Sequence, residues 1–251
     1  MGEIYEYFLK KRKEKPLIIP LLDPDKFTPD LTKRVLKKID NELFDAYLVG
    51  GSTAIWQTKV DLVVQEIKKH TNKPVILFPN GISSLSPFAD AVLFISLLNS
   101  SNTFYIVEQQ AQAAPIIKEM GLEPISTAYI IIGDGGTAGF VGHARPIPFD
   151  KPELTVAYAL AAEYFGFRFI YLEAGSGTRE PVPSSIISAV KKVTKSLLIV
   201  GGGIRNSGTL IRAVKAGADC VILGNVLENE QEAENFIKEM FELKAFLFQS
   251  S

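Results

Sequence analysis

Short apolar runs rich in Val, Ile and Leu recur along the chain, and each ends in or within two residues of Gly, Asp, Asn or Ser. Runs of this length bounded by turn residues read as strands buried on both faces. They span Leu17–Asp23, Ala46–Ser52, Pro74–Asn80, Ala91–Leu98, Glu123–Ile132, Phe169–Gly175, Leu197–Ile204 and Cys220–Asn225. Between most of them the apolar positions recur with a helical period. That spacing predicts helices over Asp30–Asn41, Lys59–His70, Thr103–Met120, Glu153–Phe165, Ser184–Lys195, Ser207–Ala216 and Glu230–Lys244. Alternating strands and helices imply a parallel α/β sheet. Eight strands without a break in composition predict closure into one (β/α)8 TIM barrel over residues 1–251, close to the ~250 residues usual for that fold.

Two segments break the rhythm. Gly81–Asp90 (GISSLSPFAD) is too short and too rich in Ser and Pro for a full helix, so the third crossover helix should be incomplete. The barrel wall should be thin there and leave an apolar gap, with Leu85, Phe88, Phe94 and Leu97 as candidate lining. Gly133–Lys151 carries five glycines and two prolines and reads as a long mobile loop, a candidate lid.

Composition narrows the class. Hydrophobic residues make up 47% of the chain, enough for a sizeable core, and the net charge of -1 argues against nucleic-acid binding. The single cysteine, Cys220, suits a reducing cytoplasm and reads as an inert core residue. No signal segment opens the chain and no apolar run is long enough to span a membrane. GDGGTA (Gly133–Ala138) loosely fits a dinucleotide-binding turn, but prolines follow where its helix should run. His70 and His143 read as structural or solvated, and no Cys/His metal cluster is present.

In this fold the chemistry sits at the C-terminal ends of the strands. The sixth strand ends YLEAGSG (Tyr171–Gly177), and alternation sends Tyr171 and Glu173 to one face and Leu172 and Ala174 to the other. A charged Glu173 belongs in the polar mouth. The seventh strand ends VGGGIR (Val200–Arg205) and the eighth LGN (Leu223–Asn225). Three consecutive glycine-rich ends expose backbone amides to an anion and predict a phosphate site. Asp23, at the end of the first strand, is either a turn residue before Pro24 or a carboxylate ligand for Mg²⁺. Ser52, after the second, either adds an oxygen to that ion or turns the chain.

Taken together, YLEAGSG, VGGGIR and LGN, with LLDPDK on the first strand and VGGS on the second, resemble the geranylgeranylglyceryl phosphate synthases over essentially the whole chain. The length is similar to that of the larger, second group of this family, which is related to the bacterial heptaprenylglyceryl phosphate synthases. The resemblance implies a prenyltransferase that joins sn-glycerol 1-phosphate to geranylgeranyl diphosphate, making the first ether bond of archaeal-type membrane lipids. It implies that Tyr171, Leu172, Glu173, Ala174, Gly175, Ser176 and Gly177, with Gly202, Gly203, Gly224 and Asn225, hold glycerol 1-phosphate. It also implies that Asp23 and Ser52 hold the Mg²⁺ that carries the prenyl diphosphate. In that chemistry Glu173 orients the acceptor hydroxyl and takes its proton, and Tyr171 fixes its position. A homo-oligomeric, cytoplasmic enzyme in transient contact with the membrane that receives its product is expected. The alternatives are the same reaction with another prenyl length, a different phosphate-binding barrel such as an isomerase or flavoenzyme, and a barrel that only binds.

Overall fold

A computed structural model describes residues 2–38, 43–53 and 56–243. In chain order the elements are α1 (Glu3–Lys11), β1 (Leu17–Leu22), α2 (Pro29–Lys38), β2 (Tyr47–Gly50), α3 (Gln57–His70), β3 (Val75–Phe78), β4 (Ala91–Leu97), α4 (Gln109–Glu119) and β5 (Glu123–Gly135). They continue with α5 (Gly136–Val141), α6 (Pro152–Tyr164), β6 (Phe169–Ser176), α7 (Ser184–Val193), β7 (Leu197–Gly201), α8 (Ser207–Lys215), β8 (Cys220–Leu223) and α9 (Glu230–Glu242). The eight strands close in sequence order, β8 pairing back to β1, with the neighbours parallel. The expected (β/α)8 barrel is therefore what this sequence forms. The C-terminal ends expected for two helices, Ile39–Asn41 and Lys244, lie outside the described residues.

Strand alternation sorts the core into two layers. Leu17, Ile19, Leu48, Ile76, Leu93, Ile125, Phe169, Tyr171, Leu197, Ile199, Cys220 and Ile222 fill the barrel interior. Ile18, Val49, Leu77, Val92, Ile130, Ile170, Leu172, Val200 and Val221 point outward into the helices. Period-two alternation within runs that are apolar on both faces produces both layers at once.

The N-terminal segment, which lies ahead of every predicted element, forms α1 and closes the barrel floor. Phe8 is 2% exposed, and its ring lies 5.4 Å from that of Phe169 at the start of β6. Gly2 precedes α1 and supplies no capping side chain. The cap comes instead from Glu123, at the start of β5, whose carboxylate accepts the Ile4 and Tyr5 amides at 2.7 and 3.0 Å. A carboxylate at the positive end of a helix satisfies donors the helix leaves open.

The wall between β3 and β4 is thin, as expected. A single 3-10 turn, Ile82–Ser84, stands in for the crossover helix. The helix after β4 begins as a π turn, Phe104–Glu108, before settling into α4. The floor gives a direct test. Phe8→Ala should destabilise the fold by about 3–5 kcal/mol, the usual cost of removing a buried ring, measured by urea unfolding.

Candidate active site

β6 delivers the central carboxylate. Tyr171 points into the barrel and Glu173 follows on the same face, 5% exposed, at the top of the interior. Glu173 Oε1 accepts the Gly175 amide at 2.7 Å, and the hydroxyls of Tyr171 and Tyr129 lie close enough to act on the same carboxylate. Tyr129 is the register partner of Tyr171 across β5 and β6, and the two rings meet edge to face at 5.0 Å. Phe78, ending β3, completes the cluster at 5.4 Å from Tyr171 and 5.7 Å from Tyr129. Burial pushes the Glu173 carboxyl up to about 7, against the pull of the Gly175 amide and the two tyrosine hydroxyls, which favour its ionised form. Burial, then the neighbouring carboxylate, holds both tyrosine hydroxyls well above their ordinary range, so they stay protonated donors.

The glycines of VGGGIR have a nearer role than baring amides. A Cβ on Gly201 would stand 2.3 Å from the Tyr171 hydroxyl and 2.9 Å from Glu173 Oε2. One on Gly202, where φ is 79°, would meet Glu173 Oε1 at 2.4 Å. β7 is stripped of side chains here because a carboxylate and a phenol occupy the space.

The segment Gly133–Lys151, expected as a mobile loop, is built otherwise. β5 continues to Gly135, and Gly135 and Gly136 run beside Gly175 and Ser176 of β6. The short α5 follows, and the returning chain is tied down by Gly133 N–H to Ile147 O at 2.8 Å and Arg145 N–H to Asn99 O at 2.7 Å. The Asn99 side-chain amide donates to both Ile131 O and Arg145 O. One buried asparagine thus stands in for a missing strand partner. The prolines follow α5 rather than preventing it.

A cavity of about 160 Å³ opens at the strand ends. Its lining brings together Asp23, Ser52, Tyr171, Glu173, Gly175, Ser176, Gly202, Gly203, Gly224 and Asn225. Leu172 and Ala174 do not line it, because their side chains pack outward against the helices, and Gly177 lies outside it as well. The Gly175 amide is already engaged by Glu173. Sequence reasoning passed over Tyr129, Phe78, Lys26 and Arg205, all of which line the cavity. The usable signal for Tyr129 was its even spacing from the inward-facing Ile125 and Ile131.

Asp23 is half-buried, and its Oδ1 accepts the Asp25 amide at 3.0 Å. Burial raises its carboxyl, while the Asp25 amide and the Lys26 charge oppose that rise. Gly51 passes so close that a Cβ there would stand 2.7 Å from Asp23 Oδ1. Among the described residues no group of three or more His, Cys, Asp and Glu could form a protein-only metal cage. One carboxylate and one hydroxyl facing an open cavity suit Mg²⁺, which takes few protein ligands and fills its shell from phosphate and water.

A second cavity of about 40 Å³ opens at the thin wall, lined by Leu85, Val92, Phe94, Ala113 and Ile117. It shares Pro79, Ile95, Gln109 and Gln110 with the first. Of the expected groove residues, Leu85 and Phe94 line it, Leu97 lines the main cavity and Phe88 lies on the surface.

Fold and site together define a (β/α)8 barrel with a glycine-rich mouth over a buried acid. Residues 9–244 match the model of the PcrB family, and the chain belongs to that family. The geranylgeranylglyceryl phosphate synthase of Thermofilum pendens is 47% identical over 93% of this chain and 91% of that one. The enzyme of the same name from Pyrococcus furiosus is 43% identical over 97% of each. The crystal structure of (S)-3-O-geranylgeranylglyceryl phosphate synthase from Thermoplasma acidophilum, in complex with its substrate sn-glycerol-1-phosphate, superposes with a TM-score of 0.92 at 36% identity, covering 99% of this chain and 100% of that one. A tryptophan synthase α-subunit from Pyrococcus furiosus, with a TM-score of 0.61 at 15% identity over 91% of this chain and 99% of that one, shares the fold alone.

The Glu173 carboxyl sets a pH dependence of stability. An unfolded Glu loses its proton near about 4.3, whereas the native group holds it to about 7. Between those values only the native state binds the proton, so stability present below the lower value is lost as pH rises through the window, in total about 4 kcal/mol. Glu173→Gln should remove this loss, so its advantage over the wild type in urea unfolding should grow from pH 5 to pH 8. An advantage constant across that range would assign the titration to another group.

Proposed function

We propose that this chain joins the 3-hydroxyl of sn-glycerol 1-phosphate to C1 of geranylgeranyl diphosphate, with Mg²⁺ bound by Asp23 and Ser52. The observation that carries this reading is the buried Glu173 beneath the glycine-rich ends of β6, β7 and β8, in a chain so similar to synthases of that name. In this reading Ser176, Gly203, Gly224 and Asn225 grip the phosphate at the rim. The glycerol then reaches inward with its 3-hydroxyl toward Glu173, which lies at the base of the same cavity.

Bound Mg²⁺ supplies charge neutralisation at the departing diphosphate. The C1–O bond to the diphosphate breaks, and its electron pair leaves with the diphosphate. A lone pair of the 3-hydroxyl oxygen forms the new C1–O bond, and the hydroxyl proton passes to Glu173. Near neutral pH a carboxyl titrating at about 7 is both available as a base and strong enough to accept that proton. Tyr129 and Tyr171 hold the carboxylate in place by their hydroxyls, and the Tyr129, Tyr171 and Phe78 rings surround the space where C1 gains cationic character. Aromatic faces favour such charge without supplying a nucleophile that would capture it. The prenyl tail leaves through the apolar cavity at the thin wall, past Phe94 and Leu85.

Self-association is part of this reading, since Phe140 on α5 and Tyr164 with Phe165 at the end of α6 stand 87%, 82% and 76% exposed. No described helix is long and apolar enough to cross a membrane, so contact with the bilayer would be peripheral.

The test is product formation from sn-glycerol 1-phosphate and labelled geranylgeranyl diphosphate, with and without Mg²⁺. Ether product should require the metal, and Asp23→Ala should lower turnover by at least about 10²-fold, the scale lost with a key electrostatic group. Product only with a longer or shorter donor would keep the chemistry and change the tail. No product with any prenyl donor would refute the reading.

A further inference from the structure

The cavity that must receive a phosphate and a diphosphate is lined by two cations, Lys26 and Arg205, and by the carboxylates Asp23, Glu173 and Glu228. The two cations stand in different situations. Arg205 Nη2 donates to the carbonyls of Gly177 and Thr178 at 3.3 and 3.1 Å, which braces the loop after β6. Lys26 rises from the turn that carries Asp23, its amide donating to Asp23 O at 2.9 Å. Its side chain crosses the mouth to Glu228, after β8, with Nζ 2.7 Å from Oε1. Asn225 Nδ2 donates to the same Glu228 oxygen at 2.9 Å. The neighbouring Asp25 is taken up separately by Lys59 at 2.5 Å.

The Lys26–Glu228 pair is partly open to water, its side chains 44% and 27% exposed. Ion pairs in that setting hold weakly and exchange partners readily. A lysine on a flexible stem acts as a movable point charge and suits a multiply charged phosphate better than a single carboxylate. Its root beside Asp23 places it on the metal side of the mouth, while Arg205 serves the β6 loop. The field of Lys26 also acts on Asp23, which sets the two groups within electrostatic reach.

We propose that Lys26 is a binding residue for the diphosphate of the prenyl substrate, and that Glu228 holds it across the mouth until the diphosphate takes Glu228's place. This rests on the prenyl-transfer reading for the identity of the anion.

Calorimetric titration of the full chain with inorganic pyrophosphate plus Mg²⁺, and separately with sn-glycerol 1-phosphate, tests it. Lys26→Met should weaken pyrophosphate at least tenfold and leave sn-glycerol 1-phosphate within twofold. Lys26→Arg should restore most of the affinity, and Glu228→Gln should tighten pyrophosphate severalfold. In turnover assays the KM for the prenyl diphosphate should rise in Lys26→Met while that for the acceptor holds. Equal weakening of both ligands in Lys26→Met, or wild-type pyrophosphate affinity in that variant, would overturn the assignment. Absence of wild-type turnover would instead sink the prenyl-transfer reading, and the pyrophosphate titration would still judge Lys26.

Discussion

A carboxylate held where water barely reaches it organises the mouth of this barrel. Glu173 needs hydrogen bonds to sit there at all, because an unpaired buried charge costs far more than any packing around it returns. Its partners come from three places: the Gly175 amide on its own strand, Tyr171 two residues earlier, and Tyr129 on the neighbouring strand. Each partner imposes a condition on its surroundings. The Tyr171 hydroxyl and the carboxylate exclude side chains from positions 201, ending β7, and 202, just beyond it. Gly175, at φ 121°, lies so close to β5 that a Cβ on it would stand 2.3 Å from the Gly135 carbonyl carbon, and one on Gly136 would meet Ser176 O at 2.4 Å. The glycine-rich rim is a consequence of the acid as well as the phosphate grip proposed for it.

That arrangement divides labour along the barrel axis. The floor is sealed by α1, with Phe8 on Phe169 and Glu123 capping the helix from a distance. Acidic groups there, Asp45 and Asp219, are tied to Lys15, Arg12 and Lys191 and to backbone amides, and serve to join strands to helices. The mouth keeps its carboxylates partly exposed or under strain of burial. Stability and chemistry are thus drawn from opposite ends of the same eight strands.

The barrel was legible in the chain because parallel strands buried on both faces leave apolar runs that turn residues interrupt cleanly. The thin wall was legible from the shortness of Gly81–Asp90, and the inward face of β6 from plain alternation. What escaped notice depended on distant partners. α1 was missed because its cap, Glu123, lies 119 residues from the Ile4 amide it accepts. The extension of β5 through Gly135 was hidden by glycines that usually mark loops, and its tether is the Asn99 side chain on another connection. Tyr129 read as one more core residue within an apolar strand, and only the register with Tyr171 gives it a polar task. Lys26 and Arg205 are ordinary surface residues until the barrel closes and the mouth gathers them.

The incomplete third crossover has a bearing on traffic. Most barrels of this kind are sealed around the waist, so whatever enters by the mouth must leave by it. Here the two cavities share Pro79, Ile95, Gln109 and Gln110, and the smaller one lies at the side wall rather than at the top. A molecule with one ionic and one greasy end then need not turn around. In the proposed reaction the tail would occupy that side passage while the head is held at the rim, and the product would then be offered tail first and released head last.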